Sequence, residues 1–398
     1  MNPGHLPHAP CPLCGGSAVF GFYSIQSVPV TCASVFPDAS QARAIERGNI
    51  DLVACETCGF AFNRSFDPRL IALGARYESS QAASPHFNTY AAALARSWVD
   101  RYHLKGKTIL EVGCGDGNFL RRLLDAGVGR AIGIDPQSNA AGTADDAPHG
   151  LEIIPRLFDA SMPDIEADAL VCRHTLEHID DVHGFLTLLR RWAARARRRV
   201  LLLDLPDAER IFTERAFWDI YYEHCNYFTT ETLRRAFEFA GLRILALTRE
   251  FQGQYLRIEA AAGPPPNPEP IDASAERAAY QSFAAETQAS LQRCEGALAR
   301  LRTLPSPLVL WQGGAKTVGF LSALSHPEVI DAAVDVNPHR QGIFLPASGL
   351  PVYAPQMLRQ LKPRNVILMN SAYRHEVAET IATLRLDLQL HSVDELLR

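Results

Sequence analysis

The feature that most constrains the fold is a glycine-rich turn placed between a short apolar strand and a helix. Residues 108–112 (TILEV) have the apolar character of a buried strand, and residues 111–117 (EVGCGDG) overlap its end. Residues 119–127 have helical character, and residues 131–135 (AIGID) read as a second short strand. Strand, helix and strand at this spacing form a βαβ unit. The sequence therefore predicts an α/β fold with a parallel sheet.

The sequence pattern divides the rest of the chain into distinct regions. A length of 398 residues exceeds that of one ordinary core, which predicts two or three domains. Further strands are predicted at 169–173, 199–204 and 257–262, and residues 308–316 begin a second strand-to-glycine-turn unit. We assign a metal-binding module to 1–75, the core to 76–263, a proline-rich linker and helix to 264–304, and a smaller α/β domain to 305–398.

Two pairs of cysteines near the N-terminus have the spacing of metal-binding knuckles. Cys11 and Cys14 form one pair, Cys55 and Cys58 form the other, and a glycine follows each pair. Glycine lets the backbone fold back toward the thiolates, and two such turns close a tetrahedral site. Four cysteine ligands leave no coordination position open, so the predicted Zn²⁺ is structural. The alternative is a set of unpaired buried thiols.

Composition excludes several partners. The chain has 39 Lys+Arg against 44 Asp+Glu, a formal net charge of −5, which argues against nucleic acid as a general partner. The basic run at 190–199 reads as a solvated helix end. The N-terminus lacks the pattern of a secretory signal, and no run of about 18 apolar residues occurs. We therefore expect a cytoplasmic protein with no membrane partner.

The glycine turn carries the signs of a nucleotide cofactor. Gly113, Gly115 and Gly117 permit close approach of a ligand to the backbone, and the helix that follows offers free amides. Asp135 at the end of the next strand can accept both ribose hydroxyls, and Glu111 can face an amino-acid moiety. The pattern is similar to that of class I S-adenosylmethionine (SAM) methyltransferases. NAD is the alternative, since its ribose-binding acid has the same placement, but the glycine spacing departs from GxGxxG.

Two polar segments could supply the chemistry. His174, Glu177 and His178 follow the strand at 169–173, and ligands bind at the carboxyl ends of parallel strands. Residues 219–229 (DIYYEHCNYFT) place a histidine beside a glutamate and tyrosines. Histidine can act as a base near neutral pH, a carboxylate can orient its ring, and a phenol can donate to an oxyanion. The alternative is an aromatic core strand with a buried histidine.

Together these motifs resemble the sugar C-methyltransferases that act on nucleotide-linked 4-ketosugars. The resemblance covers nearly the whole chain and rests on motifs in a fixed order: the four cysteines, EVGCGDG at 111–117, LEH at 176–178, YYEHCNYF at 221–228, GAK at 314–316 and VDVNPHRQG at 334–342. It implies a Rossmann-like class I methyltransferase core between a zinc-binding module and a smaller α/β domain, with SAM and structural Zn²⁺ as cofactors.

The resemblance also implies roles for individual residues. The enzyme would deprotonate the carbon beside the ketone and methylate the enolate, with His224 as the base. The surrounding catalytic set is Tyr221, Glu223, His178 and Tyr77, and the SAM-binding set of Glu111, the three glycines and Asp135 is completed by Phe158 and His174.

Other properties stay less defined at this stage. Asn337, His339 and Arg340 are suited to a diphosphate or a base, whereas Lys316 receives no role. The expected partner is a nucleotide sugar, and the expected state is a monomer or homodimer. The alternatives are an O- or N-methyltransferase acting on another natural-product precursor, or a nucleic-acid or protein-binding adaptor with a relic core.

Overall fold

The computed structural model of the protein describes residues 10–71, 77–78, 80–138, 149–263, 271–302 and 305–397. The predicted proline linker at 264–270 lies outside the described residues. The helices are α1 (Ala39–Arg43), α2 (Pro85–Arg101), α3 (Asn118–Asp125), α4 (Val182–Ala194), α5 (Ala208–Glu214), α6 (Thr230–Phe239), α7 (Ser274–Leu301), α8 (Ala315–Ala323), α9 (Leu358–Leu361) and α10 (Arg374–Thr383). The strands are β1 (Val19–Pro29), β2 (Arg47–Cys55), β3 (Ala61–Asn63), β4 (Thr108–Val112), β5 (Arg130–Ile134), β6 (Leu151–Ile154), β7 (Ala169–Arg173), β8 (Val200–Pro206), β9 (Asn226–Tyr227), β10 (Leu242–Glu250), β11 (Tyr255–Ala262), β12 (Leu308–Trp311), β13 (Ala332–Val334), β14 (Ile343–Phe344), β15 (Pro351–Tyr353), β16 (Asn365–Leu368) and β17 (Gln389–Ser392).

The central sheet has seven strands in the order β10-β11-β8-β7-β4-β5-β6. Strands β4 to β8 run parallel to one another, and β11 pairs with β8 in the antiparallel direction. The chain passes from β4 outward through β5 and β6, then returns to the other side of β4 with β7. This topology confirms the predicted Rossmann-like fold of class I methyltransferases, with its switch point between β4 and β7.

Alternate residues of the central strands pack against helices on opposite faces of the sheet. Leu110 and Val112 of β4 belong to the core that α4 and α6 cover, whereas Ile109 belongs to the core that α2 and α3 cover. Burial on both faces explains why β4 and β7 read as continuous apolar runs in the sequence. These buried strands hold the segments that follow them at one edge of the sheet.

The N-terminal sheet includes one strand, β9, from the methyltransferase region of the chain. Its order is β1-β2-β3-β9, all antiparallel, and Ala61 of β3 pairs with Tyr227 of β9. Strand β9 directly follows a turn at 221–225, so the aromatic segment does not form one continuous core strand. The pairing with β3 therefore fixes the turn that carries His224.

The C-terminal sheet has the order β14-β15-β13-β12-β16-β17. Its strands are parallel apart from β14, and its switch point lies between β12 and β16. Helix α7 has 28 residues, so it is about 42 Å long. It contacts β1, α5 and the turn at 393–397. Helix α7 thus connects the N-terminal sheet to the C-terminal sheet. Of the helices in the described ranges, none has the length and apolar character needed to cross a membrane.

Candidate active site

The predicted cofactor residues meet at one edge of the central sheet. Strands β4, β5, β6 and β7 are parallel, so their carboxyl ends lie side by side. The segments that follow these strands carry the glycines at 113, 115 and 117, then Asp135, Phe158 and His174. This is the edge at which doubly wound sheets bind ligands.

All three glycines of the turn have positive φ angles, a conformation that other residues rarely adopt. The φ angles of Gly113, Gly115 and Gly117 are 74°, 53° and 75°. A Cβ at Gly113 would overlap the hydroxyl of Thr175, whereas a Cβ at Gly115 would meet open space. The turn therefore packs tightly on the segment after β7 and leaves its outer side open to a ligand.

The two predicted acids flank this turn. The carboxylate of Asp135 accepts hydrogen bonds from the amides of Gly115, at 2.8 Å, and Gln137, at 2.7 Å. Glu111 is 2% exposed, and its Oε2 has no hydrogen-bond partner among the described residues. Burial raises the pKa of Glu111 to about 8, and the nearby Arg173 guanidinium opposes this shift. An unpartnered buried carboxylate oxygen beside an open turn fits the ammonium group of an amino-acid ligand such as SAM.

His174 and Phe158 lie at the same edge with different surroundings. His174 has a φ of 46°, and its ring lies between Glu177, 3.9 Å from Nδ1, and Asp204, 3.8 Å from Nε2. Burial lowers the pKa of His174 to about 4, so the ring is neutral at pH 7. Phe158 is half-buried, with its ring 6.5 Å from that of Phe185.

A second group of side chains surrounds His224. The rings of His224 and His178 are 4.8 Å apart and nearly perpendicular, and the ring of Tyr221 is 4.3 Å from that of His224. His224 is 8% exposed. Burial lowers the pKa of His224 well below 6.5, and positive charge on His178 or His174 would lower it further. The imidazole is therefore neutral at pH 7 and able to accept a proton.

The carboxylate beside His224 is that of Glu177 and not that of its sequence neighbour. Side-chain atoms of Glu177, His178 and His224 all lie within 4.8 Å of one another, and Glu223 is outside this group. Burial raises the pKa of Glu223 to about 7, while the Cys32 backbone, Arg340 and the Tyr77 phenol lower it. The two consecutive side chains in this turn therefore have different neighbours, and the place of Glu223 in the catalytic set stays a prediction. The sequence places Glu177 at the ligand edge of the sheet but does not pair it with His224.

The backbone at Tyr77 and Glu78 is held by contacts with both the N-terminal region and the C-terminal domain. Tyr77 forms an isolated antiparallel bridge with Ser34, and the Glu78 amide donates to the Ala33 carbonyl at 2.9 Å. From the C-terminal domain, the Asn337 amide donates to the Glu78 carboxylate at 3.1 Å, and the Arg340 guanidinium donates to the Glu78 carbonyl. The side chains of Asn337 and Arg340 therefore contact protein groups, whereas His339 is exposed.

A cavity of about 410 Å³ lies where the C-terminal sheet meets α5 and α7. It reaches the carboxyl end of β16, next to the switch point, and Lys316 of α8 projects into it. Its charged lining consists of four cations and two carboxylates: Arg210, Arg215, Arg293, Lys316, Glu214 and Asp394. Lys316 and Arg210 both bind the buried carboxylate of Asp219. Arg210 also binds Glu214 and Arg215 binds Glu286, so carboxylates of the protein largely neutralise the cations of this lining.

The four knuckle cysteines converge as predicted. The Sγ atoms of Cys11 and Cys58 are 3.7 Å apart, those of Cys14 and Cys55 are 3.6 Å apart, and all four lie within 4.8 Å of one another. A tetrahedral site with Zn–S bonds of about 2.3 Å requires sulfur atoms about 3.8 Å apart. The cluster is therefore compatible with Zn²⁺.

Two family models match consecutive parts of the chain. The family described as "Methyltransferase domain" matches residues 87–247, and the family described as "C-methyltransferase C-terminal domain" matches residues 269–387. The first range contains the glycine turn and His224, and the second contains strands β12 to β16 of the C-terminal sheet.

The chain is also similar to individual proteins. It is 27% identical to the C-methyltransferase NovU of Streptomyces niveus over 93% of this chain and 91% of that protein. It is 36% identical to the ribosomal protein L11 methyltransferase of Pseudomonas aeruginosa (strain LESB58), over 20% of this chain and 28% of that protein. The solved structure of magnesium protoporphyrin IX methyltransferase from Synechocystis PCC 6803 overlays with a TM-score of 0.35 and 14% identity, covering 48% of this chain and 90% of that one.

The matches to the two families follow each other along the chain, and the similarity to the C-methyltransferase spans both. The sheet order and the glycine turn agree with them. The chain is therefore a SAM-dependent methyltransferase that carries the C-terminal domain of C-methyltransferases.

Proposed function

We propose that the protein methylates a carbon beside the ketone of a nucleotide-linked 4-ketosugar. The observation that carries this proposal is the neutral, buried imidazole of His224, which lies against Tyr221 and His178. This imidazole is linked to the cofactor turn, since Gly113 packs on Thr175, next to the segment that carries Glu177 and His178. The similarity to a C-methyltransferase supports carbon as the acceptor atom.

The chemistry needs a base and an oxyanion donor. His224 takes the proton from the carbon beside the ketone, and the electron pair of the broken C–H bond forms the enolate. The Tyr221 phenol, which lies against His224, would donate to the enolate oxygen, and the Tyr77 phenol, which interacts with Glu223, is a second candidate donor. Burial raises the pKa of both phenols well above 10, so both keep their protons at neutral pH.

The SAM site would be formed by the carboxyl edge of the central sheet. Asp135 would bind the ribose hydroxyls, Glu111 would face the ammonium group, and the glycine turn would approach the methionine moiety. His174 and Phe158 would complete the pocket. When bound, SAM supplies an activated methyl group, which the enolate carbon takes as the thioether leaves with the electron pair of the C–S bond.

The cavity beside the C-terminal sheet would receive the diphosphate of the substrate, with Arg293 and Lys316 among the side chains that line it. Lys316 lines this cavity and is near enough to His224 for its charge to lower the pKa of that imidazole. A nucleotide bound there would thus present its sugar toward His224. Arginine and lysine are suited to diphosphate oxygens.

The remaining proposals concern the metal and the compartment. The four-cysteine cluster would bind a structural Zn²⁺, because its sulfur spacing matches a tetrahedral site with no open position. None of the nine cysteines, all of which lie in the described ranges, forms a disulfide, which is compatible with the reducing cytoplasm. We propose a cytoplasmic enzyme that acts as a monomer or homodimer.

The test is incubation with methyl-labelled SAM and a panel of dTDP-, GDP-, UDP- and CDP-linked 4-ketosugars. We expect one product with a new carbon–carbon bond, located by mass spectrometry and NMR. We also expect deuterium exchange at the same carbon in D₂O without SAM. Label on oxygen or nitrogen, or the absence of exchange across the panel, would contradict the proposal.

A further inference from the structure

The carboxyl group of Glu177 is buried beside two histidines. The residue is 2% exposed, and neither Oε1 nor Oε2 has a partner among the described residues. Its side chain lies within 4.8 Å of the ring nitrogens of His178 and His224. Leaving a carboxylate unpaired in a protein interior is costly, so a role in the adjoining chemistry is a reasonable explanation for its position.

Several titratable groups from different elements face Glu177. Two of them belong to the same segment: His174 lies 3.9 Å away, and His178 lies within 4.8 Å. The others lie on β7, on β8, in the turn before β9 and in the segment before α2: Cys172, Asp204, Tyr221, His224, Cys225 and Tyr77. The imidazoles are the only groups among these that gain positive charge, so a negative charge on Glu177 acts mainly on them.

We propose that Glu177 is a positioning residue that acts through the base: its carboxylate stabilises the imidazolium that forms on His224 when the substrate loses its proton. The inference rests on the proposed function, because it assigns the partner of the same base. Glu177 thereby has the role that the sequence suggested for Glu223.

The proton balance is simple. In the state that forms as the pH rises through about 8, His224 is neutral and Glu177 carries one negative charge before the step. The substrate C–H bond breaks, its electron pair stays on the enolate, and its proton binds a ring nitrogen of His224. The pair then has no net charge, whereas without the carboxylate it would carry an unopposed buried positive charge. After methyl transfer the proton passes from His224 to solvent.

The protonation state of Glu177 sets the pH range of this effect. Burial raises the pKa of Glu177 to about 8. The carboxylate is therefore mostly protonated at pH 7 and ionises as the pH rises, and activity should rise with it. Glu177→Gln should remove this rise in the pH profile.

The experiment compares the wild type with Glu177→Gln and Glu177→Asp, using the ketosugar that the wild type methylates best. We expect kcat of the wild type to rise through about pH 8 and that of Glu177→Gln to lack this rise, with at least about tenfold lower kcat at pH 9. Glu177→Asp should keep a rise in kcat. SAM affinity, measured by calorimetry, should stay within about twofold in both variants, and the exposed Glu152→Gln serves as the matched control.

A substrate-free measurement separates this inference from the proposed function. Imidazole ¹⁵N shifts of His178 and His224 should change between about pH 7 and 9 in the wild type and stay constant in Glu177→Gln. Absence of this change in the wild type would overturn the inference even if the methyl transfer is confirmed. Metal analysis gives a further check. A second bound metal ion in the wild type that is lost in Glu177→Gln would also overturn the inference, because Glu177, His178 and His224 would then be metal ligands.

Discussion

His224 combines a buried position with neighbours that disfavour its charged form. Burial lowers its pKa well below 6.5, and positive charge on His178 or His174 would lower it further. Such an imidazole is neutral at physiological pH but is a weak base when it stands alone. Its basicity must therefore come from groups that stabilise the imidazolium, and Glu177 is the carboxylate that shares its cluster.

The first prediction concerns the base itself. His224→Gln keeps a polar side chain of similar size but cannot accept the proton. We expect methyl transfer to fall by about 10²–10⁴-fold, while SAM affinity stays within about twofold. Radiometric turnover and calorimetry measure the two quantities, and the exposed His375→Gln is the control. Lost SAM affinity in His224→Gln would show that this residue serves the cofactor and not the proton.

The second prediction concerns stability and pH. Burial raises the pKa of Glu111 and Glu177 to about 8 and that of Glu223 to about 7, from 4.5. The folded state therefore binds these protons more tightly than the unfolded state, and stability falls as the pH rises from about 4.5 to 8. Glu177→Gln cannot ionise, so its melting temperature should exceed that of the wild type at pH 8.5 by about 2 °C or more.

The same comparison at pH 4.5 supplies the control. At that pH the wild-type carboxyl is protonated in the fold, so the advantage of the glutamine should disappear. Scanning calorimetry at both pH values checks the difference. An equal gain at both pH values would mean that packing and not ionisation sets the effect.

At the level of elements, the β4-turn-α3 unit depends on the close packing of its first glycine. Gly113 lies against Thr175, and a side chain there would overlap the threonine hydroxyl in addition to straining a φ of 74°. This contact joins the end of β4 to the end of β7 at the switch point. A shift of the glycine turn should therefore also move the segment after β7 that carries Glu177 and His178.

The third prediction separates strain from contact. Gly113→Ala should weaken SAM binding by about tenfold or more, because the turn must move away from Thr175. Gly106→Ala has a similar φ of 70° with open space around its Cβ, so it carries the strain without the overlap. We expect Gly106→Ala to bind SAM normally in the same calorimetric titration. Equal losses in both variants would assign the effect to backbone strain alone.

The sequence predicts some elements far better than others. The predicted bounds of β4 and β7 are those observed, because these strands are buried on both faces and end in recognisable turns. The N-terminal sheet was not predicted: β1 alternates irregularly between exposed and buried residues, and register shifts interrupt its pairing with β2. Strand β9 has only two residues and exists because β3 pairs with it.

The candidate site shows the same limit. Residues that follow buried strands, such as Asp135 and His174, could be placed at the ligand edge from the βαβ pattern. The contact between Glu177 and His224 could not, because it depends on how the chain returns to the edge of the sheet after β8. Local spacing instead suggested Glu223, whose side chain has other neighbours.

At the scale of the whole molecule, each region contributes to the same centre. The N-terminal sheet holds the His224 turn through β9, and the C-terminal domain holds the Tyr77 segment through Asn337 and Arg340. Lys316 of the C-terminal domain binds Asp219, just before the His224 turn. Loss of order in either terminal region should therefore disturb the site even though the cofactor edge belongs to the central sheet.

The cysteine cluster anchors this arrangement to two helices. The Arg235 side chain of α6 donates to the Cys58 carbonyl at 2.8 Å, and the Tyr280 hydroxyl of α7 donates to the Gly59 carbonyl at 2.9 Å. The cysteines also belong to the core that covers one face of the central sheet. Metal at the cluster would thus stabilise the contacts that α6 and α7 make with the knuckle.

The fourth prediction follows from these anchors. Cys58→Ser should lower bound zinc from about one ion per chain to a small fraction, and the melting temperature should fall by about 5 °C or more, because a structural zinc contributes directly to folding. Activity should fall in proportion to the folded fraction. Cys294→Ala, a buried thiol on α7 remote from the cluster, should keep its metal. Metal analysis, calorimetry and turnover on the same samples decide the case: lost activity with an unchanged melting temperature would mean that the metal acts in the chemistry, and metal retained in Cys58→Ser would mean that the ligands lie elsewhere.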